Sequence, residues 1–164
     1  MQQKIAFSSI ATLVVMLFVL AACGGSAPAT INDIPVYPDA AALQAGKDQI
    51  ATTLANNMTQ DASMRQAMGA GGKTEQKGFE LPKEAKWDAV KGFYTDKLKA
   101  AGWSEGMGNG MAGNLVGNVL DVANQANDLF KMAAYSKGNQ TLSVMYLVMP
   151  DSNDKVLMLS LSTR

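Results

Sequence analysis

Thr141-Leu142-Ser143-Val144-Met145-Tyr146-Leu147-Val148-Met149 is the stretch on which the fold turns. Leu142, Val144, Tyr146 and Val148 alternate along one face, while Met145, Leu147 and Met149 occupy the other. Alternation with a period of two is the pattern of a β-strand. A sheet washed by solvent on one side shows a polar second face. Here the second face is apolar too, so both faces should be covered over part of their length. Lys155 to Thr163 repeats the arrangement, with Leu157, Leu159 and Leu161 set against Val156 and Met158. Pro150-Asp151-Ser152-Asn153-Asp154 supplies the turn between the two strands. Upstream, Lys137-Gly138-Asn139 is a turn and Lys131 to Ser136 a further strand, which makes the C-terminal part a β meander.

Helical periodicity appears further upstream. Trp87, Val90, Tyr94, Leu98 and Ala101 recur at steps of three and four and form one apolar stripe, predicting a helix from about Glu84 to Ala101. Pro82 precedes it, and Gly102 stands where a C-terminal glycine belongs. Lys73 to Leu81 reads as a strand, with Phe79 and Leu81 on one face. From Gly46 to Met68, Ile50, Leu54 and Met58 fall four residues apart and predict another helix, ended by Gly69-Ala70-Gly71-Gly72. Ile34-Pro35-Val36-Tyr37-Pro38 is extended, restricted by its prolines to an edge or a lead-in, and Asp39 is placed to cap the element after it. Gly106 to Asn114 has little structural preference and leads into a third helix, Leu115 to Phe130. The expected fold is α+β: a mainly antiparallel sheet with two helices packed on one face and a third helix in an inserted segment, 106–130.

The N-terminus carries a different signal. Met1-Gln2-Gln3-Lys4 is a short basic start, Ile5 to Leu20 is apolar, and Leu20-Ala21-Ala22-Cys23 comes next. The apolar run is long for a signal h-region and short for a membrane span. Small residues ahead of a cysteine suit a lipoprotein signal peptidase, which cuts before a thiol that already carries diacylglycerol. The competing reading is an uncleaved N-terminal helix, which the shortness of the run and the position of the Leu-Ala-Ala-Cys block disfavour. The expectation is a signal peptide over 1–22, Cys23 lipidated with diacylglycerol and palmitate, a flexible tether over 23–33, and one domain over 34–164. The lipid would anchor the chain to a membrane on its extracytoplasmic side: the outer face of the plasma membrane or, where a second membrane exists, the outer membrane. Gly24 is next after the cysteine, so no aspartate stands there to retain the protein at an inner membrane.

Composition narrows the function classes. Cys23 is the only cysteine, and the chain has no histidine. The commonest general base at neutral pH and the commonest metal ligand are therefore absent, and no disulfide can staple the domain. Without residues 1–22 the chain has 142 residues with 13 basic and 14 acidic side chains. That balance gives no overall electrostatic footprint for nucleic acid or anionic lipid. No cofactor motif appears, and no nucleic-acid partner is expected.

Ile34-Pro35-Val36-Tyr37-Pro38-Asp39-Ala40 near a lipidated N-terminus resembles the start of a family of uncharacterised bacterial lipoproteins. The resemblance continues through Trp87, Val90, Phe93-Tyr94, Leu98 and Gly102-Trp103, spaced W-x2-V-x2-F-Y-x3-L-x3-G-W, and ends around Gln140-Thr141-Leu142-Ser143-Val144. It implies an α+β sandwich anchored outside the cytoplasm and implies no activity. Residues 106–130 look like an insertion relative to shorter members.

Candidate chemistry is sparse. Trp87, Phe93, Tyr94 and Trp103 could stack on a sugar or peptide, but Trp87 and Tyr94 lie on the buried stripe and read as core. Met64 with Met68, and Met107 with Met111, are four apart and thioethers are soft copper ligands; flexible packing explains them better. Asp151 and Asp154 fall in a turn with too few ligands for calcium. Glu84, Asp88 and Asp96 share a helix with lysines and read as a solvated, charge-laced face. No phosphate loop, nucleophile elbow or zinc spacing is present. Ser–Lys dyads remain open to the fold. The expected role is a non-catalytic binding or accessory module at the cell envelope, with a protein partner surface on the third helix at Val116, Val119, Leu120 and Phe130. The alternatives are a small-ligand-binding surface lipoprotein, or a hydrolase without a recognisable motif.

Overall fold

The apolar alternation of the C-terminal strands becomes a sheet through antiparallel pairing. The computed structural model describes residues 27–67, 72–106, 120 and 122–164. Its elements are β1 (Ala41–Ala42), α1 (Gln49–Ala67), β2 (Lys73–Leu81), α2 (Trp87–Ala100), β3 (Ser104–Glu105), β4 (Phe130–Lys137), β5 (Gln140–Val148) and β6 (Lys155–Thr163). They form a six-stranded sheet of order β1-β2-β6-β5-β4-β3 in which every neighbouring pair is antiparallel. The fold is α+β. The register stacks Phe79, Leu157 and Tyr146 in one row, Leu159 and Val144 in the next, and Leu161, Leu142 and Tyr135 in the third. These side chains make one face of the sheet the core.

The α2 helix closes that face. Trp87, Val90, Tyr94 and Leu98 are buried at its three- and four-residue steps, and the Trp87 and Tyr146 rings lie 6.0 Å apart. Asp88 in the first turn and Lys97 and Lys99 in the last complement the helix dipole. Gly102, at φ 82°, takes the left-handed conformation that ends the helix, and the Trp103 N–H turns back to the Leu98 carbonyl. Ala101, expected on the apolar stripe, is the exposed C-cap.

The chain joins this core earlier than the expected end of the tether at residue 33. Ala29 already donates its N–H to Gln140 Oε1 at 2.9 Å and accepts from Gln140 Nε2 at 2.8 Å. Ile31 and Ile34 are buried in the core, and Glu75 Oε2 accepts the Ile31 N–H at 3.1 Å. That bond and the Lys73 ammonium beside it hold the Glu75 carboxyl below its usual range, the ammonium contributing more. Burial of the apolar side chains at 31 and 34, together with the bonds to Gln140 and Glu75, offsets part of the backbone freedom that the segment loses. Packing onto the core therefore reaches back to Ala29. Asp39 is not a helix cap: it sits in a turn at φ 58°, ahead of the two-residue β1.

The helix arrangement also differs from expectation. Ala51 of α1 is buried outside the main core and adjoins Gln76 and Gly78, whose register places them on the opposite face of β2 from Phe79. One helix thus serves each face, instead of both sharing one. Residues 29–40 take the room beside α2 that a second helix would have needed. Of the expected stripe on α1, Ile50 is half-buried; the side chains of Leu54 and Met58 lie outside the described residues.

The third helix does not extend to Phe130. Residues 122–126 are helical, and Phe130 starts β4 instead of ending a helix. Asn127 turns the chain at the stop, its Oδ1 accepting the Leu129 and Phe130 N–H groups at 2.9 and 3.1 Å, and Asn124 ties the helical segment to β4. The Asn124 Nδ2 donates to the Met132 carbonyl and its Oδ1 accepts from the Met132 N–H, both at 2.7 Å. One side-chain amide thus takes the place of a neighbouring strand on the outer edge of β4, continuing the pairing that Ser104 and Gly106 make with Ser136 and Ala134. An uncovered edge would be a template for aggregation. Asn124→Ala should cost about 1–3 kcal/mol, because two hydrogen bonds go and the Met132 groups stay partly buried. Urea unfolding would show the loss, and hydrogen exchange at Met132 would rise with it; unchanged exchange there would sink the account.

Three buried tyrosines give the core a pH dependence. Tyr146 donates to the Ala85 carbonyl at 3.1 Å, and the Tyr135 and Thr95 hydroxyls are 2.9 Å apart. The Tyr94 hydroxyl approaches the Tyr37 backbone without closing a hydrogen bond. Burial raises the pKa of all three phenols above the ordinary value. The folded chain then keeps protons that the unfolded chain loses above about pH 10. The contribution to stability is complete below that pH and is lost as pH rises through the folded pKa values. Stability should fall above about pH 10 by at most about 1.4 kcal/mol per pH unit for each tyrosine. Urea midpoints measured against pH check this, with Tyr135→Phe showing a shallower fall.

Candidate functional site

The second face of the sheet is where the structure leaves chemistry open. Its side chains alternate with the core residues, and the register divides them by type. At one end Thr74, Ser162, Thr141 and Ser136 form a row, followed by Gln76, Ser160, Ser143 and Ala134. At the other end come Gly78, Met158, Met145 and Met132, then Glu80, Val156, Leu147 and Phe130. One half of the face is hydroxyl and amide; the other is thioether and hydrocarbon.

The hydroxyl half holds a shallow depression of 320 Å³, lined by Ser136, Thr141, Ser143, Ser160, Ser162 and the Gly138-Asn139-Gln140 turn, with Arg164 at its rim. Gln76 Nε2 reaches Ser160 Oγ at 3.2 Å. Thr74 Oγ1, Gln76 Oε1 and Ser136 Oγ are buried on this face without a hydrogen-bond partner. An unpaired buried polar atom carries a desolvation cost that a ligand hydroxyl or water can relieve. Serines here have no histidine to activate them, and the described lysines reaching this row, Lys73 and Lys137, belong to the opposite face by register. The arrangement can accept and donate hydrogen bonds; among the described residues it has no base positioned to abstract a proton. Among the described residues no group of three or more histidine, cysteine, aspartate or glutamate side chains could hold a metal ion.

The apolar half is only partly covered. Val156 is buried, Met132, Met145, Leu147 and Met158 are half-buried, and Phe130 is 40 % exposed. Leu129, next to Phe130 in sequence, is 51 % exposed. Leu43 and Ala51 shield the β2 side of this face. Gly78 accommodates that cover: a Cβ there would lie 3.2 Å from the Leu43 methyl, tighter than ordinary contact.

Of the expected partner surface, Leu120 is half-buried and Phe130 is exposed on β4, while Val116 and Val119 lie outside the described residues. Met64 is exposed on α1; Met68, Met107 and Met111 also lie outside. Trp87, Tyr94 and Trp103 are buried and Phe93 half-buried against Tyr37, their ring centroids 5.4 Å apart, so these aromatics pack the core. Sequence reasoning missed the Met132–Met145–Met158 row and the hydroxyl rows. Alternation was visible within each strand, but neighbours across strands depend on register. No family model, no curated protein and no solved structure matches this chain. Among the described residues no helix is long and apolar enough to cross a membrane.

Proposed function

We propose that this chain is a lipid-anchored envelope lipoprotein whose domain is a non-catalytic binding or accessory module, with the apolar half of the second sheet face as its contact for a protein partner. The anchor reading rests on Leu20-Ala21-Ala22-Cys23 behind its apolar run. The single observation behind the contact is Phe130: a large aromatic at the start of a strand, 40 % exposed, in register with Leu147 and Val156 and flanked by Leu129. Aromatic anchors of this kind are enriched where proteins meet.

The test is crosslinking and recovery from the native membrane with the wild-type chain and with Phe130→Glu. An exposed position should tolerate the change within about 0.5 kcal/mol, and a partner held there should be lost. A partner recovered equally with both chains, or no partner with either, would sink the contact. The hydroxyl depression supports a second reading, a small polar ligand at Ser143 and Ser160, because three buried polar atoms beside it lack partners. Thermal shift against sugars and short peptides would detect such a ligand.

A further inference from the structure

We infer that the end of the domain from which the N-terminal segment departs is a basic footprint for anionic phospholipid headgroups, seating the domain in one orientation on the membrane that carries it. The inference rests on the lipid-anchor reading and adds to it a second contact.

The geometry begins with Gln140. Its amide holds Ala29 from both sides, so the chain leaves the domain there. Five residues lie between Cys23 and Ala29, a span of at most about 22 Å. Gln140 belongs to the last row of the sheet, Lys73–Thr163–Gln140–Lys137. Lysines therefore occupy both ends of that row, roughly 14 Å apart across three strand spacings. The α2 helix runs along the same face and ends at the same place, since Lys137 Nζ donates to the Ala101 carbonyl at 2.8 Å. Its last turn adds the exposed Lys97 and Lys99. Arg164 is adjacent, its N–H on the Asn139 carbonyl at 3.1 Å.

The acids at this end are Asp33, Glu75, Asp96 and Glu105, and Glu105 is paired with Lys91 at 3.1 Å. Asp96 shares the last turns of α2, and Glu75 is spent on Lys73 in an ion pair. Lys97, Lys99 and Lys137 are the lysines that remain. The far end carries the opposite balance. Glu80, Glu84, Asp88, Asp128, Asp151 and Asp154 gather around the β5–β6 turn and the start of α2, against Lys83, Lys86, Lys131 and Lys155. Lys155 Nζ on the Lys83 carbonyl ties that end together. A chain of nearly balanced charge is thus polarised along its sheet axis, with its basic pole at the anchor. Lysines attract phosphate headgroups only within about 8–10 Å at physiological ionic strength, and the short span to Cys23 keeps this end near that range.

The experiment uses the full-length protein, expressed with its signal, purified from membranes and placed in vesicles. One set is phosphatidylcholine; the other is equal parts phosphatidylcholine and phosphatidylglycerol. A membrane-impermeant amine-acylating reagent reports each lysine by mass spectrometry. On anionic vesicles, labelling of Lys97, Lys99 and Lys137 should fall at least about fivefold, the factor one lysine near such a surface supplies. Lys83, Lys86 and Lys155 should not change, and high salt should restore labelling. The double variant Lys97→Glu/Lys99→Glu, which leaves the Lys137 hydrogen bond in place, should abolish protection at Lys137. Equal labelling of both ends in both vesicles, with the protein floating alongside them, would overturn the footprint and leave the anchor standing. Failure to float with neutral vesicles would overturn the anchor instead. In that event, salt-sensitive flotation with anionic vesicles alone would still support the footprint, and its absence would overturn both.

Discussion

Cys23→Ala should abolish incorporation of labelled palmitate and leave a precursor that retains residues 1–22. On the proposed lipid-anchor reading the effect is all or none, because the thiol would be the acceptor of the diacylglycerol group and cleavage would wait for that group. Two or more acyl chains give stable anchoring where one chain is marginal, at about 0.8 kcal/mol for each buried CH₂. Salt and carbonate washes should therefore leave the wild-type protein in the membrane fraction. Two readouts are needed, since an uncleaved apolar segment would itself hold the variant at a membrane. Mass spectrometry of the N-terminal peptide distinguishes the cases: a lipid-modified peptide starting at Cys23 supports the anchor, and an unmodified Cys23 in an intact chain refutes it.

Leu157→Ala should cost about 2–5 kcal/mol. Leu157 is fully buried in the middle of the sheet, with Phe79 on one side and Tyr146 on the other. Deleting its isopropyl end leaves a cavity that three paired strands cannot collapse to fill. A domain of this size has about 5–15 kcal/mol in total, so a large share would go. The expected fall in melting temperature is about 4–20 °C, at 2–4 °C for each kcal/mol. Met158→Ala is the internal comparison. Met158 lies next in sequence on the other face and is half-buried, so its loss should be well under half as large. Equal effects would mean that the two faces are packed alike and that the division of the sheet into a core face and an open face is wrong.

That division is only half readable in the sequence. The alternation in 141–149 and 155–163 declares both faces apolar, and the structure agrees at Met145, Leu147 and Met158, which are half-buried. It cannot show that Ser143, Ser160 and Ser162 stand beside one another on the same face, because cross-strand neighbours are set by a register that no single strand contains. Asn124 poses the same problem. Its sequence position marks it as polar and helical, yet its partner is the Met132 backbone eight residues on. Phe130 fits the helical period of Val119, Leu120 and Ala123, which makes it read as the last apolar residue of a helix. The sheet edge claims it instead, since pairing with Leu147 satisfies backbone groups that a helix end leaves open.

By itself the sequence determined the elements whose cause is local. The α2 stripe of Trp87, Val90, Tyr94 and Leu98, its end at Gly102, the strand from Lys73 to Leu81 and the meander all arise from periodicity and turn chemistry within a few residues. The lipid signal at Cys23 is equally local, and stands as an expectation read from sequence alone. Only the tertiary structure decided what depends on residues far apart. Docking of Ala29 on Gln140 spans 111 positions. Beside it Ile31 joins the core, α1 lies against the opposite face, and the chain meets the sheet at a row that begins and ends in lysine. Net charge, a sum over the chain, was blind to that polarity, because electrostatic potential depends on where charges sit and falls off with distance.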